Sequence, residues 1–196
     1  MQDQIEKFKA LTLKNFSRKD FQYHEWMGQY HLKIVERIAL ELCDVYPQAD
    51  KELVQTLVWF HDFGKPLDEQ NEKATTLSEG SKAMKECGFP DEFIQKVVQY
   101  WLLMEQKNEI DIRTTPVEVQ IISSSDGASH FVGMFYPHYF RDDPEESVAL
   151  IQSRLKEKIE QDWNRKIVLP EVKKAFEVRY KRALEMLGEF PEKFIS

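Results

Sequence analysis

Residues 53–65 read LVQTLVWFHDFGK. In this stretch Val54, Leu57, Val58 and His61 recur at intervals of three and four, the spacing that places side chains on one face of an α-helix. Every residue from 57 to 60 is apolar. We therefore expect this stretch to form the central helix of the fold.

The end of this helix matters because His61 and Asp62 are neighbours in the sequence. Adjacent residues on a helix point about 100° apart. Both side chains can therefore reach one metal ion only if the ion lies beside the helix end. We expect Gly64 to supply that end.

The same helical spacing continues on both sides and predicts an all-α fold of about seven helices. One helix is expected at about residues 22–46, with His31 on its apolar stripe. Four prolines are placed where further helices can begin: Pro90, Pro116, Pro144 and Pro170. Gly188 is expected to end the last helix. The charge-rich segment 145–160 is interpreted as a solvated helix face with an apolar stripe, and no alternating strand pattern is found.

The composition of the chain limits the classes of protein to which it can belong. The chain has 196 residues, of which 42% are hydrophobic, so we expect one domain over residues 1–196. A net charge of −7 argues against a nucleic-acid partner. No apolar run resembles a signal peptide or membrane span, which predicts a cytoplasmic protein. The two cysteines, Cys43 and Cys87, form no spaced cluster and are assigned no chemistry.

Three apolar stripes carry a residue that can bind a metal ion. His31 lies on the stripe of the first long helix, His61 and Asp62 close the most apolar helix, and Asp126 closes the helix after Pro116. A buried aspartate is costly unless it is paired or coordinated. Two imidazole nitrogens and two carboxylates would hold one divalent cation and leave positions for water. The choice among Mn, Fe, Co, Ni, Mg and Zn stays open.

These residues resemble the H…HD…D signature of the HD phosphohydrolase superfamily. The resemblance rests on HLKIV at 31–35, HDFGK at 61–65 and SDGAS at 125–129. It implies an all-helical core that holds a divalent metal and hydrolyses a phosphate ester, often in a nucleotide. The motif-bearing core would cover about residues 20–130, with the C-terminal helices of 144–188 packed against it.

The chain departs from the members of this superfamily that bind two metals. Those members carry further histidines after the HD pair. Here the corresponding stretch, residues 75–80, reads TTLSEG, and the later position falls near Trp101. We therefore expect one metal ion per chain.

The site chemistry suggests roles for the nearby residues. Asp62 or Asp126 could accept the proton of a water molecule that the metal activates. Lys65 is placed to contact a substrate phosphate as a point charge. His130 is expected near the substrate, within an aromatic segment at 129–140. The remaining candidates are weaker: Asp68 and Glu69 as acid or base, and His24 at the rim of the site or as a plain packing residue.

Three functions remain open at this stage. The first is a phosphohydrolase acting on a nucleotide or another small phosphorylated molecule through a metal-activated water. The second is a non-catalytic metal-binding domain that acts as a ligand sensor or interaction module. The third is a single-metal hydratase or lyase on the same scaffold. The oxygen-rich ligand set and Lys65 favour the first, while the substrate and the oligomeric state stay undetermined.

Overall fold

The computed structural model describes residues 1–24, 26–138, 145–188, 192–193 and 195, and the helical backbone of 139–142. All regular elements in these residues are helices, which confirms the all-α prediction. The α-helices are α1 (Gln2–Phe16), α2 (Lys33–Val45), α3 (Lys51–Phe60), α4 (Glu72–Thr75), α5 (Ser81–Glu86), α6 (Asp91–Glu105), α7 (Val117–Ser129), α8 (Phe135–Asp142), α9 (Val148–Gln161) and α10 (Pro170–Met186).

Three π-helical turns interrupt this pattern. The turn Met27–Leu32 leads into α2, Thr76–Gly80 joins α4 to α5, and Asp162–Lys166 continues α9. With these joins, the described residues form nine continuous helices, two more than the sequence indicated. The helix predicted at about residues 22–46 begins at residue 27, because residues 17–24 form turns, and it is preceded by α1, which was not predicted.

Proline and polar caps set several helix ends as expected. Pro90 and Pro116 are the N-cap residues of α6 and α7, and Pro170 is the first residue of α10. Pro144 lies outside the described residues. The side chain of Asp50 caps α3 by accepting a hydrogen bond from the backbone N–H of Leu53.

Helix α3 lies in the middle of the core, as its apolar sequence predicted. It packs against α1, α2, α6 and α7. Its apolar side chains are fully buried: Leu53, Val54, Leu57, Val58, Trp59 and Phe60. Because this helix is surrounded by others, the residues that directly follow it, His61 and Asp62, enter the interior of the fold.

The C-terminal helices approach α7 closely. A Cβ atom on Gly127 of α7 would lie 2.9 Å from Lys166 Cβ and 3.0 Å from Ile167 Cγ1. Only glycine allows this approach, which brings the turn Asp162–Lys166 next to the end of α7. The predicted boundaries of the domain, and of its motif-bearing part, stay predictions.

Two further sequence features can be located in the fold. In the part of the chain that the structure describes, no helix is both long and apolar enough to cross a membrane. Cys43 is buried and Cys87 half-buried, and both are free thiols. Burial raises the pKa of the Cys43 thiol to about 11, which suits a packing role.

Candidate metal centre

The four predicted metal ligands line one cavity of about 270 Å³. His31 comes from the π-helical turn before α2, and His61 is the C-cap residue of α3, with Asp62 next to it. Asp126 lies in the last turn of α7. Side chains more than sixty positions apart in the sequence therefore meet around one space.

Short distances connect the nitrogen and oxygen atoms of this cluster. Asp62 Oδ2 lies 3.3 Å from His31 Nε2 and 3.4 Å from His61 Nε2. Asp126 Oδ1 lies 3.7 Å from His31 Nε2. Asp62 is thus between two imidazole rings, while Asp126 approaches the ring of His31 from the other helix.

Hydrogen bonds on the far side of each ring fix its tautomer. His61 Nδ1 donates to the carbonyl oxygen of Val58 at 2.8 Å. His31 Nδ1 lies 2.9 Å from Ser129 Oγ, whose own hydrogen is donated to the carbonyl oxygen of Asp126. The serine oxygen therefore accepts from His31. With both Nδ1 atoms acting as donors, both Nε2 atoms face the cavity, as in metal-ligating histidines.

The environment of one buried nitrogen indicates whether these residues suit a cation. Among the described residues, His61 Nε2 is buried and forms no hydrogen bond with any group. A buried imidazole nitrogen without a hydrogen bond is unfavourable, and in the neutral ring a divalent cation would satisfy it. The donor set of two imidazoles and two carboxylates also suits such an ion.

His130 is a third imidazole at the same cavity. It caps α7, four residues after Asp126, and its Nε2 lies 3.3 Å from Asp126 Oδ1. Ligand atoms within 4.8 Å of one another form two groups: His31, His61 and Asp62, and His31, Asp126 and His130. From the sequence, His130 was expected near the substrate, although its spacing of four from Asp126 places it on the same helix face.

The family of the chain follows from its sequence. A model of the HD domain family matches residues 28–129, slightly more than half of the chain, and this range includes all four predicted ligands. The chain belongs to the HD domain family. This confirms the resemblance seen in the motifs. HD domains are mostly metal-dependent hydrolases of the phosphohydrolase type. Neither a curated protein nor a solved structure matches the chain.

Three charged residues from the C-terminal helices complete the site of this HD domain. Asp162 is fully buried, with its oxygens 2.6 Å from Lys158 Nζ and 3.3 Å from Lys166 Nζ. Lys166 Nζ also lies 2.7 Å from Asp126 Oδ2. Lys158 belongs to the segment that we interpreted as a solvated face, and that interpretation is wrong for this residue. Its side chain lines the cavity because the turn Asp162–Lys166, which continues α9, packs against α7.

Burial and charge shift the pKa values of these groups in opposite directions. Burial lowers the pKa of His31 to about 4. Burial has the same effect on His61, but the Asp62 carboxylate outweighs it and raises the pKa of His61 to about 9. Burial would raise the pKa of Asp126, but Lys166 and His130 hold it well below its usual range. The side chain of Asp126 is therefore ionised at neutral pH.

Glu72 is a carboxyl group of the HD domain site that the sequence analysis missed. It lines the cavity against Asp62, and burial followed by the charge of Asp62 raises its pKa to about 7. The weaker acid or base candidates, Asp68 and Glu69, do not line the cavity. Asp68 instead accepts hydrogen bonds from Asn71. Nothing in the sequence near Glu72 pointed to the site.

Gly64 explains how Glu72 reaches Asp62. Helix α3 ends at Phe60, so Gly64 lies within the following turns and not at the helix end that was expected. Its N–H donates to Thr76 Oγ1 at 2.9 Å, and a Cβ atom there would lie 2.4 Å from the carbonyl oxygen of Glu72. Gly64 thus permits the close contact between the HD turn and α4.

The remaining predicted residues occupy different places. Lys65 lines the cavity near the charges of Asp62 and Glu72, so its phosphate-binding role stays a prediction. His24 does not line the cavity and bonds to the Phe21 carbonyl. Phe135 from the aromatic segment is part of the wall.

Trp101 stands where two-metal members of the HD family were expected to carry a histidine. Its indole N–H donates to the carbonyl oxygen of His61 at 3.1 Å, and its ring lines the cavity. Trp101 thus supports the backbone of the HD pair.

Proposed function

We propose that this chain is a metal-dependent phosphohydrolase that acts on a nucleotide or another small phosphate ester. The observation that carries the proposal is His61 Nε2. It is buried, faces the cavity and forms no hydrogen bond among the described residues. Asp62 Oδ2 lies 3.4 Å from it and 3.3 Å from His31 Nε2, so these atoms offer further ligands. A cavity with this donor set and a lysine at its wall suits a cation together with an anionic substrate.

The residues that would hold the ion are His31, His61, Asp62 and Asp126. Since an imidazole nitrogen has one lone pair, His31 Nε2 can bind one ion at a time. Both possible ligand groups include His31, and this supports one ion per chain. When bound, a divalent cation lowers the pKa of water and neutralises negative charge on phosphoryl oxygens.

Asp62 is the group that we assign to accept the proton of the attacking water. Its Oδ2 lies between the two imidazole rings. Glu72 lies against Asp62 at the cavity wall and offers a second carboxylate next to it. Asp126 is less suited to this task, because its Oδ2 already accepts a hydrogen bond from Lys166 at 2.7 Å.

Lys65 is assigned to the substrate phosphate. It lines the cavity directly after the HD pair, where an ammonium group can contact a phosphoryl oxygen. The apolar side chains of Trp101, Met104 and Phe135 form part of the wall. They limit the access of water and so strengthen the electrostatic interactions inside the cavity.

A phosphate-release assay tests this function. The protein is loaded separately with Mn²⁺, Co²⁺, Ni²⁺, Mg²⁺ or Zn²⁺ and incubated with a panel of nucleotides and other phosphate esters. We expect metal-dependent release of phosphate from at least one ester, and loss of this release in Lys65→Ala. Lys85→Ala is the matched control, because Lys85 is an exposed lysine that pairs with Asp91 outside the cavity.

Other outcomes would point to the alternative functions. A protein that binds metal and a phosphorylated ligand, but releases no product from any ester, would contradict the hydrolase proposal and favour a ligand sensor. Addition or removal of water across a carbon–nitrogen or carbon–carbon multiple bond, without phosphate release, would indicate a hydratase or lyase.

A further inference from the structure

His130 is not one of the four residues in the family signature, yet it is built into the centre. Its ring packs against two others: the Phe135 ring stacks on it with centroids 3.7 Å apart, and the centroid of the His31 ring lies 5.2 Å away, with the two ring planes 26° apart. The side chain is 5% exposed. These contacts restrict the ring, so the direction of its nitrogen atoms is determined by the fold.

Asp162 determines which nitrogen of His130 faces the cavity. Its Oδ2 lies 2.7 Å from His130 Nδ1 and also accepts a hydrogen bond from the Tyr136 hydroxyl at 3.1 Å. Lys158 and Lys166 keep this fully buried carboxylate in its charged form. An ionised carboxylate accepts hydrogen bonds only. His130 Nδ1 therefore carries a hydrogen, and Nε2 is the nitrogen that faces the cavity.

His130 Nε2 is directed towards the predicted ligand atoms. It lies 3.3 Å from Asp126 Oδ1, and these two atoms form a group with His31 Nε2 in which all distances are below 4.8 Å. Two ligands of one transition metal ion are separated by about 3 Å when adjacent and about 4 Å when opposite, given bonds of about 2.1 Å. The spacing of the group fits an ion.

We propose that His130 is a further metal ligand of this centre and that Asp162 is its positioning residue. The proposal rests on the metal site of the proposed function but adds a ligand beyond the family signature. The arrangement is a carboxylate–histidine–metal relay, in which the carboxylate fixes the tautomer and increases the basicity of the imidazole. His130 would then bind the ion and not the substrate.

Metal affinity and imidazole NMR test the proposal without any activity measurement. Titration calorimetry with Mn²⁺ and Co²⁺ compares the wild type with His130→Ala and Asp162→Asn. We expect Asp162→Asn to weaken binding by about 10–100-fold, and His130→Ala by at least as much. His24→Ala removes a histidine outside the cavity and should bind like the wild type. Nitrogen-15 spectra of the Zn²⁺-loaded wild type should show His130 with its hydrogen on Nδ1.

A spectroscopic experiment separates ligation from a structural effect. In the Co²⁺-loaded protein, visible absorption reports on the ligands, so His130→Ala should change the spectrum at saturating Co²⁺. In His130→Gly, added imidazole should restore affinity by occupying the vacated space. If Asp162→Asn does not fold, the His130 variants still decide the question.

The result that overturns the proposal is a pair of His130 variants with wild-type Mn²⁺ affinity and an unchanged Co²⁺ spectrum. This outcome leaves the proposed function intact, because the four signature residues would still hold the ion. In contrast, a wild type that binds neither cation would contradict the proposed function and this proposal together.

Discussion

Lys166 Nζ lies 2.7 Å from Asp126 Oδ2, although the two residues are 40 positions apart in the sequence. The contact depends on Gly127, which lets the turn Asp162–Lys166 approach α7. Both side chains are largely buried, at 13% and 12% exposed. In the protein without metal, Lys166 is therefore the main positive partner of a carboxylate that we expect to bind a cation.

Lys166→Met should lower the stability of the metal-free protein more than that of the metal-loaded protein. The substitution leaves Asp126 charged and without its ammonium partner in a buried position, and breaking such a pair costs about 3 kcal/mol or more. A bound cation would take over the neutralisation of Asp126, so the loss should be smaller with metal. Urea unfolding with Mn²⁺ and with a chelator measures both values.

The control for this prediction is Lys51→Met. Lys51 is exposed and lies 3.7 Å from the exposed Asp44, a type of pair worth about 0–1 kcal/mol. An equal loss for Lys166→Met with and without metal would show that the cation does not interact with Asp126.

Removal of the metal should lower the melting temperature. An ion that binds only the native state adds about 2.7 kcal/mol of stability at a hundredfold excess over its dissociation constant. Elemental analysis should find close to one ion per chain, and differential scanning calorimetry should show a lower melting temperature after chelation. His31→Ala and Asp126→Ala should no longer respond to metal, whereas His24→Ala should respond as the wild type does. Two tightly bound ions per chain would refute the single-metal prediction.

Asp62→Ala and Lys65→Ala should separate metal binding from substrate binding. Asp62→Ala removes the oxygen between both imidazole rings, so metal binding and activity should be lost together. Lys65→Ala should retain the ion and lower kcat/KM by about tenfold or more, the effect of one hydrogen bond to a charged group. Calorimetry with Mn²⁺ and steady-state kinetics on the ester identified by the screen provide the two readouts. Equal metal loss in both variants would refute this division of roles.

Gly64→Ala should destabilise the fold and disturb the site. The new Cβ atom would lie 2.4 Å from the Glu72 carbonyl oxygen and 2.5 Å from the Thr76 backbone nitrogen. Backbone atoms cannot move aside easily, and such overpacking costs about 1–3 kcal/mol. Urea unfolding measures the loss. Gly28→Ala is the control, because its Cβ atom would meet only side-chain atoms, at 3.3 Å or more. A Gly64→Ala variant as stable as Gly28→Ala would contradict the close approach.

The sequence was sufficient to predict the helical class and the positions of the signature residues on helices. Helical periodicity is local, since it depends on side chains three and four positions apart. The apolar run before His61 therefore predicted a buried helix, and it carried His61 and Asp62 into the interior with it. Short-range signals also set the starts of α6 and α7, because a proline needs no helical hydrogen-bond partner for its nitrogen.

Other members of the site could be found only from the tertiary structure. Lys158 and Asp162 lie in a charged helical segment, and charge on a helix is usually solvated. Whether such a face meets solvent or another helix depends on packing angles, which sequence spacing does not encode. The sequence by itself determined the all-helical class and the order of the four signature residues. The packing of the turn Asp162–Lys166 against α7 decided that Asp162 orients His130 and that Lys166 pairs with Asp126, because those contacts join distant segments through a close approach at Gly127.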